Sequence, residues 1–177
     1  MEAAAPHTLP GQAPEHAGYT REVEEASLSV TALRELMRAV LDRGVPFRFR
    51  APGFSMFPFV KDGDVITVCR LTGGAPGIGR VVAFVHPGTA KVVVHRVVGR
   101  KAGLYLTKGD NSPEPDAFVR REGMLGCVTK IERNGRRVCL GLGVERVAIA
   151  VLSRRGLLPP LLLLLAWLAR RVVRMAT

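Results

Sequence analysis

The chain has 177 residues, of which 47% are apolar, enough for one domain with a hydrophobic core and terminal extensions. The net charge of +11 favours contact with anionic surfaces such as phospholipid headgroups or nucleic acid. Only 6% of the residues are aromatic, which argues against a module that stacks bases on aromatic rings, so no nucleic-acid partner is expected.

The N-terminal residues 1–28 are predicted to form a disordered acidic tail. The first 27 residues contain five Glu and one Arg, and they lack the apolar run that a secretory signal peptide needs. Without a signal peptide, a cytoplasmic location is the default expectation.

An amphipathic helix is predicted over residues 29–44. Ser29 or Thr31 can cap its first turn, and Gly44 stands where a left-handed residue would end it. The helix is expected to pack on the domain through five apolar residues at helical spacing, which are Val30, Leu33, Met37, Val40 and Leu41.

The segment 45–140 is predicted to be a compact, mostly antiparallel β domain, so the expected fold class is mainly β. Short β-rich runs alternate here with turn residues, and no long helical pattern separates them. Asn134-Gly135 is predicted to be the loop of a hairpin. The predicted strands are 47–50, 65–71, 80–86, 91–99, 104–107, 125–132 and 137–140.

The remaining residues, 141–177, are predicted to form a basic, Leu-rich helical tail that includes a short helix at 144–154. An uncharged run from Leu157 to Ala169, interrupted by Pro159-Pro160, is too short for a complete transmembrane helix of about 20 residues. Two interpretations stay open: the run binds an anionic membrane surface, or it packs on the β domain as a final helix. The expected location is therefore cytoplasmic or membrane-associated.

The three cysteines, Cys69, Cys127 and Cys139, are predicted to be free thiols, although one bridge is compatible with the count. They form no C-x-x-C motif, which argues against a zinc ribbon or a thioredoxin-like redox site. No metal and no cofactor is predicted.

A candidate nucleophile, Ser55, stands between Gly53 and Pro58 in a tightly shaped turn. A serine hydroxyl needs a neighbouring base to attack at neutral pH. His95 is a candidate, because it interrupts an apolar run, 92–98, that is predicted to be a strand buried on both faces. Lys91 shares its strand face and is a second candidate, although its position after a turn predicts that it is solvated.

A loop over residues 107–116 supplies two candidate carboxylates. Its Gly, Asp, Asn, Ser and Pro residues are typical of turns, in which Asp also bonds its own backbone. Asp110 and Asp116 can each accept a hydrogen bond from an imidazole or pair with Arg96. The spacing alone leaves both assignments open.

Together, G-x-S-M-x-P at 53–58, V-V-H-R-V at 93–97 and K-G-D-N at 108–111 resemble the superfamily of signal peptidase I and LexA-like serine peptidases. The branch that they resemble is the archaeal and endoplasmic-reticulum type, which uses a Ser/His pair. The resemblance covers about residues 46–140. It implies the following site: Ser55 as nucleophile, His95 as general base, Asp116 or Asp110 orienting the imidazole, and supporting roles for Arg96, Met56 and Pro58.

The resemblance implies a serine endopeptidase of the signal-peptidase type, which would bind an extended peptide at a sheet edge and process signal peptides. It also implies that the Ser55 backbone N–H serves the oxyanion hole. The chain departs from the family pattern at Gly53, where many signal peptidases carry a serine donor. One alternative is a LexA-like regulator that cleaves itself at Ala17-Gly18, although residues 1–28 contain no recognisable DNA-binding motif. Another is a catalytically idle module that binds a membrane surface.

Overall fold

The computed structural model describes residues 29–175, so the predicted acidic tail lies outside the described residues. Its eight strands form one antiparallel sheet that is not closed into a barrel, and the predicted mainly β fold is confirmed. The helices are α1 (Val30–Asp42), α2 (Arg146–Arg154) and α3 (Leu158–Met175), with a 3₁₀ turn at Arg121–Gly123. The strands are β1 (Phe47–Arg50), β2 (Val65–Cys69), β3 (Val81–Val85), β4 (Val92–Lys101), β5 (Leu104–Lys108), β6 (Phe118–Val119), β7 (Met124–Arg133) and β8 (Arg136–Arg137).

The helix α1 packs on the sheet as predicted, except that Val30 in its first turn is 43% exposed. Ser29 caps it by accepting a hydrogen bond at its Oγ from the Ala32 N–H at 3.2 Å. Met37 and Leu41, one turn apart, are almost completely buried in a cluster with residues of the sheet. Gly44 follows the helix with a φ of 76°, a left-handed conformation that favours glycine.

The strand order is β1-β2-β7-β3-β4-β5-β6, with β8 paired to β7 outside this path. Period-two alternation sends Val81 and Ala83 of β3 into one core cluster and Val82 and Phe84 into another, so β3 is buried on both faces. The first cluster includes the two buried residues of α1. The strand β4, which carries His95, pairs with β3 over Val92–Arg96 and with β5 from Arg96 onward.

Six of the predicted strands are present, with ends shifted by at most two residues. The prediction of a strand over 137–140 is wrong, because β8 ends at Arg137 and the chain then leaves the sheet. The Gly141 carbonyl beyond it accepts a hydrogen bond from the buried Arg96 guanidinium at 2.8 Å, which holds the chain on that course. The hairpin at Asn134-Gly135 is present, with positive φ at both residues.

The C-terminal part contains two helices joined by a short turn. The interpretation that Pro159-Pro160 interrupts the apolar run is wrong, because both prolines lie in the first turn of α3. Proline is tolerated there, since the first N–H groups of a helix have no intrahelical acceptor. Among the described residues, no single helix is long and apolar enough to cross a membrane, and α2 and α3 are bent by 114° at the turn between them.

Asp64 directly precedes β2, and its buried contacts allow an experimental test of the fold. Its carboxylate is buried and accepts hydrogen bonds from Arg133 Nε at 2.9 Å, from Arg133 Nη2 at 2.8 Å and from the Lys61 N–H at 2.8 Å. Burial acts to raise the pKa of Asp64, but the hydrogen bonds and the Arg133 charge outweigh it and hold the pKa below its ordinary value.

Asp64→Asn is expected to lower the free energy of unfolding by about 1–3 kcal/mol at neutral pH, because it leaves the Arg133 donors without a charged acceptor. A lowered folded-state pKa contributes stability that is present above the unfolded pKa and is lost as the pH falls through the folded pKa. The difference between wild type and variant in urea unfolding should therefore shrink in acid. Asp42→Asn, at the exposed end of α1, is the matched control. An unchanged difference in acid would contradict the assignment.

Candidate active site

Ser55 lies in the turn between β1 and β2 and is exposed to solvent. Gly53 opens this turn with a φ of 83°, and its N–H donates to Asp62 Oδ1 at 2.7 Å. Met56 is buried and anchors the turn in the core beside the serine, and the Phe57–Pro58 peptide bond is cis. The turn that carries the exposed Ser55 is thus anchored in the core through Met56.

His95 lies on β4 and faces the serine, as the sequence predicted. Its Nε2 lies 3.0 Å from Ser55 Oγ, and its Nδ1 lies 2.6 Å from Asp116 Oδ2. A carboxylate can only accept, so Nδ1–H donates to Asp116, which leaves Nε2 free to accept the Ser55 hydroxyl proton. The His95 side chain is 9% exposed, so the imidazole itself is mostly shielded from water.

The structure decides between the two candidate carboxylates. Asp110 does not contact His95: its Oδ1 and Oδ2 accept from Arg96 Nε at 2.8 Å and Arg96 Nη2 at 2.6 Å. Both side chains of this pair are fully buried. Of the two alternatives, Asp116 is the carboxylate that contacts the imidazole, and the alternative that Asp110 orients His95 is wrong. The expected pairing of Arg96 with one of the two carboxylates is present at Asp110.

Two further donors of Arg96 reach backbone carbonyls. Its Nη1 donates to Gly79 O at 2.9 Å and to Gly141 O at 2.8 Å, and its guanidinium stacks on the Phe59 ring. A buried charge is tolerated when it is paired and hydrogen-bonded in this way. Arg96 thus ties β4 to three loops, while its neighbour His95 faces the site.

Two residues of the K-G-D-N motif, which sequence reasoning used only for its Asp, also shape the site. Asn111 holds the serine turn through two donors: its backbone N–H reaches Ser55 O at 2.8 Å, and its Nδ2 reaches Phe54 O at 3.3 Å. A Cβ at Gly109 would stand 2.7 Å from Ser55 O and 3.1 Å from His95 Nε2. Only glycine fits this contact without displacing the serine and the imidazole.

The lysines near the site differ in exposure. Lys91, the alternative base, is exposed, as expected from its place after a turn. Lys108, which sequence reasoning missed, is almost completely buried, and burial lowers its pKa despite the nearby carboxylates of Asp110 and Asp116. Its Nζ donates to Ser112 O at 2.6 Å and lies 3.5 Å from Ser153 Oγ of α2. Lys108 therefore joins the loop to α2.

A mainly apolar cavity of about 370 Å³ opens beside Ser55 and His95. Leu33 of α1, Met56 and Val60 form part of its wall, and the half-buried residues Val92–Val94 of β4 form another part. The prediction that the run 92–98 is buried on both faces is wrong at Val92–Val94, which are only half-buried. The strand β5 pairs with β4 only from Arg96 onward. Within the described residues, no strand covers this edge of β4 at Val92–Val94.

Comparison with protein-family models and with curated protein sequences finds no match to this chain. The chemistry of the site therefore has to be inferred from its geometry. Within residues 29–175, the Ser55 N–H donates to no backbone carbonyl, so it is available to a bound oxygen atom. The arrangement can activate a hydroxyl, hold the resulting imidazolium beside a carboxylate and accommodate an apolar side chain.

Proposed function

We propose that this chain is a serine endopeptidase of the signal-peptidase type. The observation that carries the proposal is the pair of hydrogen bonds that links Ser55, His95 and Asp116 at the mouth of the apolar cavity. A histidine with a purely structural role does not need an exposed serine on one nitrogen and a carboxylate on the other. The geometry thus favours a nucleophile, a base and an orienting group.

The reaction begins when Ser55 Oγ attacks the scissile carbonyl carbon and its proton passes to His95 Nε2. Asp116 stabilises the imidazolium through Nδ1–H, and the Ser55 N–H donates to the oxyanion that develops on the carbonyl oxygen. The imidazolium then gives its proton to the leaving amine, which departs and leaves an acyl-enzyme ester. Water attacks that ester while His95 takes its proton, and collapse of the second intermediate releases the acid and restores the Ser55 hydroxyl.

The substrate is an extended polypeptide that pairs with the open edge of β4 at Val92–Val94. Strand addition uses backbone hydrogen bonds and sends alternate side chains to one face. The cavity beside Ser55 lies on this edge and is mainly apolar, so an apolar side chain next to the scissile bond fits it. The same resemblance that implies the Ser/His pair also implies processing of signal peptides.

The self-cleaving regulator is the second candidate. Its expected scissile pair, Ala17-Gly18, lies outside the described residues. The open edge and the cavity are accessible to a separate polypeptide, which favours cleavage in trans.

One experiment tests the proposal and separates it from both alternatives. The full chain is incubated with a degenerate peptide library, and new termini are sequenced by mass spectrometry, with the intact mass of the protein followed in parallel. We expect cleavage of the peptides with an apolar preference at one subsite and an unchanged protein mass. If the only cleavage is the removal of residues 1–17 from the protein itself, the result supports the self-cleaving regulator. If the protein is folded but neither the peptides nor the protein are cleaved, the result supports the idle binding module.

A further inference from the structure

We propose that α3 binds the surface of an anionic phospholipid bilayer and lies in its interfacial region. This inference goes beyond peptide cleavage and does not depend on it. Leu158 and Leu162 pack at the start of α3 against Phe59 and Ile149. Every later residue of α3 whose side chain is described is exposed, so the leucines beyond Leu162 remain open to solvent within the described part of the chain.

One face of α3 is made of exposed leucines. Leu161, Leu164, Leu165 and Leu168 recur at the spacing that places residues on one side of a helix, and they are 36–53% exposed. Leaving four leucines in water is unfavourable, and each would contribute on transfer to the apolar edge of a bilayer. This face therefore needs an apolar surface to cover it.

The neighbouring face, toward the C-terminal end of α3, carries an aromatic ring and cations. Trp167, Arg170, Arg171 and Arg174 follow the same helical spacing and line a shallow groove on the last turns of α3. The Arg171 guanidinium lies 5.2 Å from the centre of the Trp167 ring. A Trp at headgroup depth beside arginines, with leucines below, is typical of a helix that lies in a membrane interface.

The positive charge of this part of the chain indicates which partner covers the leucine face of α3. Residues 146–177 contain no Asp or Glu, and Arg154 and Arg155 add two cations at the end of α2. A second copy of this chain could cover the leucines by pairing α3 with α3, but that pairing would bring an equally basic segment against the arginines. An anionic phospholipid surface supplies both an apolar layer and phosphates.

Trp167 is the only Trp of the chain, so its fluorescence reports on α3 alone. The full-length protein is mixed with vesicles of phosphatidylcholine and phosphatidylglycerol, and in parallel with phosphatidylcholine vesicles. We expect the Trp167 emission to shift to the blue and to be quenched by brominated acyl chains with the anionic vesicles at low salt. Both changes should weaken at high salt, because salt screens the attraction.

Two full-length triple variants separate the two faces. R170Q/R171Q/R174Q should bind anionic vesicles on the order of 100-fold more weakly, and L164Q/L165Q/L168Q should lose the quenching by brominated lipid. The matched control R120Q/R136Q/R137Q removes the same net charge from exposed positions elsewhere and should bind nearly as the wild type does. Thermal unfolding of each variant shows that the fold is kept.

Three outcomes would overturn the proposal. The first is an emission that does not change with anionic vesicles at low salt. The second is equal weakening by the control and by the α3 arginine variant, which would reduce binding to net charge. The third is sedimentation of the wild type as a dimer that the leucine variant abolishes, without vesicle binding, which would assign the leucine face to a second copy.

Discussion

Ser55→Ala is expected to lower the rate of peptide cleavage by on the order of 10⁴–10⁶-fold, because no other group replaces the nucleophile that His95 activates. The melting temperature should change little, because Ser55 is exposed and the variant loses one hydrogen bond, which contributes about 1 kcal/mol. The measurement is kcat on a peptide selected from the library, together with thermal unfolding. A loss of activity without a loss of stability separates a chemical role from a structural one.

Ser112→Ala is the matched control, because Ser112 lies in the loop beside the site and contacts Lys108 through its backbone carbonyl. This variant should keep most of the activity. If Ser55→Ala cleaves peptide at the wild-type rate, Ser55 is not the nucleophile. If the two variants lose activity equally, the nucleophile has to be sought among other hydroxyl groups near His95.

His95→Ala is expected to abolish cleavage, whereas Lys91→Ala should keep most of it. The His95 Nε2 atom is within hydrogen-bond distance of the Ser55 hydroxyl, whereas Lys91 is exposed. The measurement is kcat of both variants on the selected peptide, and the comparison separates the base that contacts the serine from a lysine that does not.

His95 is mostly buried, so a second measurement guards against a variant that fails for structural reasons. Added imidazole should restore part of the activity of His95→Ala, because the truncated side chain leaves space beside Ser55 Oγ and Asp116 Oδ2. An inactive Lys91→Ala with an active His95→Ala would assign the base to the lysine. A His95→Ala protein that unfolds like the wild type and is not restored by imidazole would also contradict the assignment.

The prediction that Ser55 and His95 meet came from the order and spacing of motifs that resemble a peptidase superfamily, because the local patterns alone are equally typical of a turn serine and a buried histidine. The sequence was not sufficient to choose between Asp110 and Asp116. Both stand in one loop, and the choice depends on which face of the sheet each carboxylate reaches, with Arg96 on the face opposite His95. That information lies in the path of the loop and not in its spacing.

The close backbone contacts between the 107–116 loop and the serine turn were also not predicted from the sequence. Gly109 and Asn111 are ordinary turn residues by composition, and only the packing of their loop against the serine turn gives them a role at the site. Lys108 was overlooked for the opposite reason, because a lysine is rarely buried and period-two alternation does not identify its partners on α2.

Two predictions for the C-terminal part of the chain were wrong for different reasons. The strand predicted over 137–140 ends early because the next loop, at Gly141, serves a guanidinium 45 residues away in sequence. The prolines of α3 were interpreted as a break although they suit a first turn. The predicted helix over 144–154 needed no such contact and agrees with α2.

The adjacency of His95 and Arg96 on one strand has a consequence for how this scaffold can be altered. Alternation sends the imidazole to the cavity side and the guanidinium into the interior, so the loops are held by a residue that does not touch the cavity. Leu33, which forms part of the cavity wall, belongs to α1 and takes no part in that network. Substitutions at Leu33 can therefore reshape the side-chain preference of the cavity without loosening the loops, which makes it the first position to randomise in a search for new peptide specificities.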